Sequence, residues 1–237
     1  MKEYKTQFDD YFSVKGDPSP LESELYKKSQ RYIAWLRFIP GVQLVAIGNS
    51  LSMNATTEDS DIDLFIVTKG GVLWTVRLFI TVLFHFLWVR RYWDKVKERF
   101  CLSFFVTENA LDFRSIALSD DVYLYYWIYY LKPILNRDST YEQFISLNSW
   151  VIIDEFQKQK NHAYVTNVQS GFLSFIGIVF FRFLELIIRP LFLIRTKRSA
   201  RALDNPFGII ISSDMLKFHV HDIRKELQEK LVVKNRK

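Results

Sequence analysis

Apolar residues recur along this chain in two rhythms, one near the helical period and one in short unbroken runs. Between Leu21 and Phe38, LESELYKKSQRYIAWLRF sets Leu21, Leu25, Ile33 and Leu36 at helical spacing and stops at Pro40-Gly41, which predicts a helix. VQLVAIG, Val42 to Gly48, is a short buried-type strand. The polar connection Asn49 to Ser60 has room for one helical turn. DIDLFIVT opens at Asp61 and ends before Lys69-Gly70-Gly71, predicting a second strand. A long apolar helix is expected from Val72 to about Tyr92, and RFCLSFFVT, Arg99 to Thr107, reads as a third strand.

Downstream the helical rhythm takes over. DDVYLYYWIYYL, Asp120 to Leu131, predicts an aromatic helix stopped before Pro133. Ser139 and Glu142 have the spacing of a capping box and predict a helix start. Gly171 to Ile194 and Ser213 to Leu231 complete the set. The order α-β-β-α-β followed by four helices predicts an α/β (α+β) protein. Its small sheet lies within residues 21–115, and a helical C-terminal region, 116–237, packs on it.

Composition narrows the class. Of 237 residues 49% are hydrophobic and 16% aromatic, so a substantial core is expected and general disorder is not. A net charge of +6 points to a polyanionic or membrane-surface partner. Cys101 is the only cysteine, which excludes an intramolecular disulfide and a multi-cysteine zinc site and fits a reducing cytoplasm. The opening MKEYKTQFDD lacks the apolar stretch of a secretory signal, so export by that route is not expected.

Asp61 and Asp63 stand at the mouth of the second strand. Residues two apart in a strand share a face, roughly 6–7 Å apart. Two carboxylates there repel by roughly 2–3 kcal/mol at an effective dielectric near 20. A divalent cation between them reverses the sign, and Mg²⁺, a hard ion bound through one or two carboxylates plus phosphates, suits the pair. By itself the pair is too short a pattern to be specific and reads first as two solvated acids at an exposed strand entrance. The upstream residues add to it: Gly48 permits a tight exit from the strand, Ser50 offers a hydroxyl, and Asn54 tolerates a left-handed turn.

Together, IGNSLSMNATTEDSDIDLFIV resembles the signature of the nucleotidyltransferase fold, the polymerase-β-like superfamily. The resemblance covers about 25 residues closely and, through element order, extends loosely to about residue 107. It implies a small mixed sheet, Asp61 and Asp63 as the catalytic, metal-binding pair, and Gly48, Asn49 and Ser50 as the nucleotide-binding corner. It further implies Mg²⁺ as cofactor, an NTP such as ATP as substrate, and transfer of a nucleoside monophosphate to an acceptor hydroxyl. The acceptor stays open among nucleic acid, a small molecule and a protein. Three positions depart from the pattern. Asn49 stands where a glycine is usual, Met53 where a basic residue is frequent, and the third strand offers Cys101 and Ser103 where a third carboxylate is common. Glu108 and Asp112, just past that strand, are the substitutes to examine. An inactive nucleotide- or metal-binding module of the same fold is the alternative.

Two apolar stretches raise the membrane question. VLWTVRLFITVLFHFLWV, Val72 to Val89, has the length of a span, but strands predicted on either side of it in one sheet favour a core helix, with Arg77, Thr81 and His85 as a polar stripe. Lys69 and Arg77 are expected near the aspartates. In GFLSFIGIVFFRFLELIIRPLFLIR, Arg182, Glu185 and Arg189 make the helix amphipathic, Pro190 interrupts it, and the basic RTKRSAR follows. Residues 171–201 therefore either cap the core, with a solvated basic linker, or lie in a membrane interface. A metal set of His219, His221 and Asp222 is disfavoured by the two-residue spacing on a helix.

Overall fold

A computed structural model of the chain describes residues 1–92, 94–201, 208–218 and 222–233. Its strands are β1 (Val42–Ile47), β2 (Ile62–Thr68), β3 (Phe100–Thr107), β4 (Lys132–Arg137), β5 (Thr166–Val168), β6 (Ile209–Ile211) and β7 (Met215–Phe218). They join in one mixed sheet ordered β5-β4-β1-β2-β3-β7-β6. The α-helices are α1 (Lys5–Phe12), α2 (Pro20–Ile33), α3 (Asn49–Ser52), α4 (Leu73–Phe86), α5 (Val122–Tyr130), α6 (Thr140–Leu147), α7 (Glu155–Asn161), α8 (Phe172–Arg201) and α9 (Arg224–Gln228). The predicted α+β class is observed, and so is the α-β-β-α-β order of α2 to β3, with the one-turn α3 between β1 and β2; α1 is an addition, in a stretch whose polar sequence suggests only turns.

β1 runs antiparallel to β2, and β2 runs parallel to β3. A parallel pair needs a crossover, and α4 supplies it. The apolar stretch after Val72 is therefore a helix between two strands of one sheet. Among the described residues no helix is long and apolar enough to cross a membrane.

Helices cover both faces of the sheet, which is why every residue of β1 is buried, Gln43 included. Leu44, Ala46, Phe65 and Val67 pack with α5, while Val45, Ile47, Leu64 and Ile66 pack with α2 and α4. Asp61 and Asp63 share the odd-numbered set of β2 and so belong to the α5 side.

The region after residue 116 is less helical than the sequence predicts, since β4 to β7 all lie in it. β4 contains Pro133, which argues against an inner strand because proline cannot donate to the ladder. Here the β1–β4 register shifts at Val45/Ala46, and Ala46 faces Pro133. The helix expected from Ser213 to Leu231 begins instead as β7, paired to β3 and β6, and is helical only from Arg224, as α9 and the π-helical Glu229–Val233. The capping box at Ser139 and Glu142 does not form: Ser139 is left-handed without a cap bond, and Glu142 accepts from Asn136. The box that does form is Ser19 with Glu22, ahead of α2, with Pro20 in the first turn. α8 continues through Pro190, and the stretch expected as a basic linker belongs to the helix.

Candidate metal and nucleotide site

Asp61, Asp63 and Cys101 bring one ligand atom each to within 4.8 Å of one another. Register explains the third member. Asp63 pairs with Cys101 but Phe65 pairs with Phe104, so β3 carries one extra residue between them. That irregularity turns Cys101 to the aspartate side. Ser103 lines the same cavity, of about 300 Å³, together with Asn49, Asp63, Arg91, Tyr123, Lys217 and Asp222.

Each carboxylate has a partner. Arg91 Nη1 donates to Asp61 Oδ2 at 2.6 Å and approaches Cys101 Sγ at 3.9 Å. Asn49 Nδ2 donates to Asp63 Oδ2 at 2.7 Å. Burial, then the charge of Asp61, pushes the Asp63 carboxyl up to about 6, against the pull of the Asn49 and Cys101 hydrogen bonds and of Arg91. Burial and the same two aspartates push the Cys101 thiol well above its ordinary range. Like charge therefore does accumulate at this strand mouth, and Arg91 offsets part of it.

Asn49 is the hub. Its φ is +53°, and its Oδ1 accepts from Trp127 Nε1 at 3.0 Å and from Tyr123 Oη at 3.1 Å. The side chain thus ties α5 to Asp63. Gly48 precedes it because a Cβ there would meet Trp127 Nε1 at 2.9 Å. The Gly48 N–H donates to the Asp63 carbonyl at 3.0 Å, closing the corner between β1 and β2. Ser50 lies in the first turn of α3, half-buried, and is not among the described residues lining the cavity. Of the residues expected at the site, Asn49, Asp61 and Asp63 converge, with Gly48 at the corner.

The substitutes for a third carboxylate are elsewhere. Thr68 pairs with Thr107 at the far end of β2 and β3, and Glu108 follows there, bound to Lys69 at 2.8 Å. At about 3.3 Å per residue that is roughly 20 Å from Cys101. Asp112 is exposed and caps a short 3-10 turn through Arg114 N. Lys69 shares the Glu108 end of the strand, and Arg77 lies on α4 across the sheet; neither is at the aspartates. The acid that does reach the cavity is Asp222, bound to Arg224 at 2.8 Å and Lys217 at 3.3 Å. His219 and His221 fall outside the described residues.

Sequence reasoning did not anticipate Arg91, Tyr123, Trp127 and Lys217 at the site. Arg91 had no signal of its own, and the aromatic residues looked like ordinary core. The donor set fits a hard divalent ion, because two carboxylates converge and a cationic guanidinium already stands against one of them. The protonated thiol is not a ligand for such an ion. No family model, curated protein or solved structure matches the chain.

Proposed function

We propose that this chain is a Mg²⁺-dependent nucleotidyltransferase that moves a nucleoside monophosphate from an NTP to an acceptor hydroxyl in the cytoplasm. The observation that carries the reading is the meeting of Asp61 and Asp63 at the Gly48–Asn49 corner, where the sequence signature and the geometry coincide. Asp61 and Asp63 would hold Mg²⁺, which when bound neutralises triphosphate charge and fixes the reacting oxygens.

The chain's own residues do the rest. Asn49 keeps Asp63 aimed into the cavity, and α5 keeps Asn49 in place through Trp127 and Tyr123. The Gly48–Asn49 corner would receive the triphosphate, and Lys217 and Arg91 lend positive charge to the cavity wall. Asp222 is held by two cations and is a poor base, so the proton of the attacking hydroxyl would pass to a phosphate oxygen of the NTP as pyrophosphate leaves.

A second reading, a nucleotide- or metal-binding module without turnover, is favoured by Cys101 standing where an acid would act and by the Arg91–Asp61 pair. Incubation with labelled NTPs, Mg²⁺ and a panel of hydroxyl acceptors separates the two. Transfer by the wild type that drops at least about a hundredfold in Asp63→Ala supports the enzyme. Metal and NTP binding without transfer supports the module, and signal unchanged by the substitution defeats both.

A further inference from the structure

A second polar cavity, of about 590 Å³, lies between α4 and the C-terminal half of α8, across the sheet from the aspartates. Arg77, Arg90 and Arg195 line it with Thr81, Thr196 and Trp74, and no acid is among its described lining residues. Among the described residues, two buried side-chain polar atoms lack a hydrogen-bond partner, Arg77 Nε and Trp74 Nε1, and both residues line this cleft. Orphaned buried donors are rare in folded proteins and mark a place for a missing acceptor. The Arg77 guanidinium lies over the Phe218 ring at 4.9 Å, which fixes its plane but accepts no hydrogen bond at its edge. Burial, then the charge of Arg90, pushes Arg77 down to about 10, so the arrangement costs energy as it stands. Clustered guanidiniums and hydroxyls of this kind match a phosphate.

The outer face of α8 says where the phosphate comes from. Phe172, Leu173, Phe183 and Leu186 are 77%, 83%, 64% and 73% exposed, and Ile176 and Leu191 continue the stripe. At about 1.5 Å per residue it runs roughly 33 Å from residue 172 to residue 194. The acid of this helix, Glu185, is buried against α4, whereas Arg182, Arg189, Arg195, Lys197 and Arg198 are exposed. A second copy laid on this face would bring arginine against arginine with no carboxylate between them. An anionic bilayer satisfies both the apolar stripe and its basic flank.

We infer that the cleft between α4 and α8 seats a phosphate group, and that the phosphate belongs to an anionic phospholipid of a membrane surface on which the outer face of α8 rests. The assignment stands apart from any chemistry at Asp61 and Asp63. The test is flotation of the full chain with vesicles of phosphatidylcholine alone or mixed in equal parts with phosphatidylglycerol. Binding to the mixed vesicles is expected to exceed binding to the neutral ones. It should fall at least about tenfold in Arg90→Glu/Arg195→Glu, and be lost in Phe183→Ser/Leu186→Ser. Both pairs contain residues at or near the surface, and circular dichroism checks that each variant folds. Equal binding to both vesicle types, unchanged by the arginine variants, overturns the cleft assignment. Stabilisation by inorganic phosphate that needs the arginines, without flotation, overturns the lipid source. A dimer that Phe183→Ser/Leu186→Ser dissociates, without flotation, assigns the face to a second copy and overturns the proposal.

Discussion

Asn49 occupies a position where the resembled signature has glycine, and the structure gives that departure a physical use. Its amide accepts from two aromatic donors and donates to Asp63, so both ends of the side chain are committed. Asn49→Ala removes the acceptor for Trp127 and Tyr123 and leaves alanine with a positive φ. A loss of about 1–3 kcal/mol in urea denaturation is expected, with Asn49→Gly losing less because the backbone cost disappears. Arg91 acts on the other acid. It is 44% exposed as a side chain and neutralises Asp61 from solvent, so Arg91→Ala frees that carboxylate. Divalent-ion affinity, measured calorimetrically, should rise by up to about fivefold, since an exposed pair is worth under about 1 kcal/mol. A fall in affinity would show that Arg91 orders the site instead of competing for it.

The elements were unevenly legible. α2, β1, β2, α4 and β3 followed from period and breakers because each is predominantly apolar at its own period and bounded by proline, glycine or charge. β4 and β7 did not. Lys132 and Pro133 look like the end of a helix, and the short MLKF segment alternates too briefly to separate a strand from a helical turn. Their strand character comes from partners distant in sequence, β1 for one and β3 for the other. The same limit hid half of the site. Asp61 and Asp63 were readable because they sit together, but Arg91, Tyr123 and Lys217 reach the cavity only through the fold. Glu185 illustrates long-range completion of a local need. α4 has no side-chain cap of its own, and Glu185 of α8 accepts from Trp74 N at 3.0 Å, Thr75 N at 2.7 Å and Thr75 Oγ1 at 2.7 Å. Glu185→Ala orphans these buried donors and should cost roughly 2–3 kcal/mol, seen as a lower melting temperature. An unchanged melting temperature would mean that water replaces the carboxylate.

For the molecule as a whole, the buried cation at Lys132 sets a pH trend. Lys132 Nζ is bonded to Tyr26 Oη at 2.6 Å and Asn54 Oδ1 at 3.0 Å, with no carboxylate paired to it among the described residues. Burial pushes it down to about 7 from an ordinary 10.5; Glu22 pulls it back upward and Lys160 presses it further down. Between those two values the unfolded chain carries a proton that the folded chain has released. Stability therefore rises with pH from about 7 to about 10.5 through this group. Unfolding in urea across that window should show the rise, and Lys132→Met should flatten it. A profile identical in the two proteins would mean that Lys132 keeps its proton when folded.

The far wall of the aspartate cavity has a consequence for biosynthesis. Asp61 and Asp63 open the second strand, whereas Lys217 and Asp222 arrive with the last hairpin and the turn behind it. A nascent chain thus carries both acids, with Arg91, Cys101 and Tyr123 beside them, long before this last wall is made. A fragment stopped short of the hairpin would leave the cavity open on that side, with Asp63 still held by Asn49 and Asp61 by Arg91.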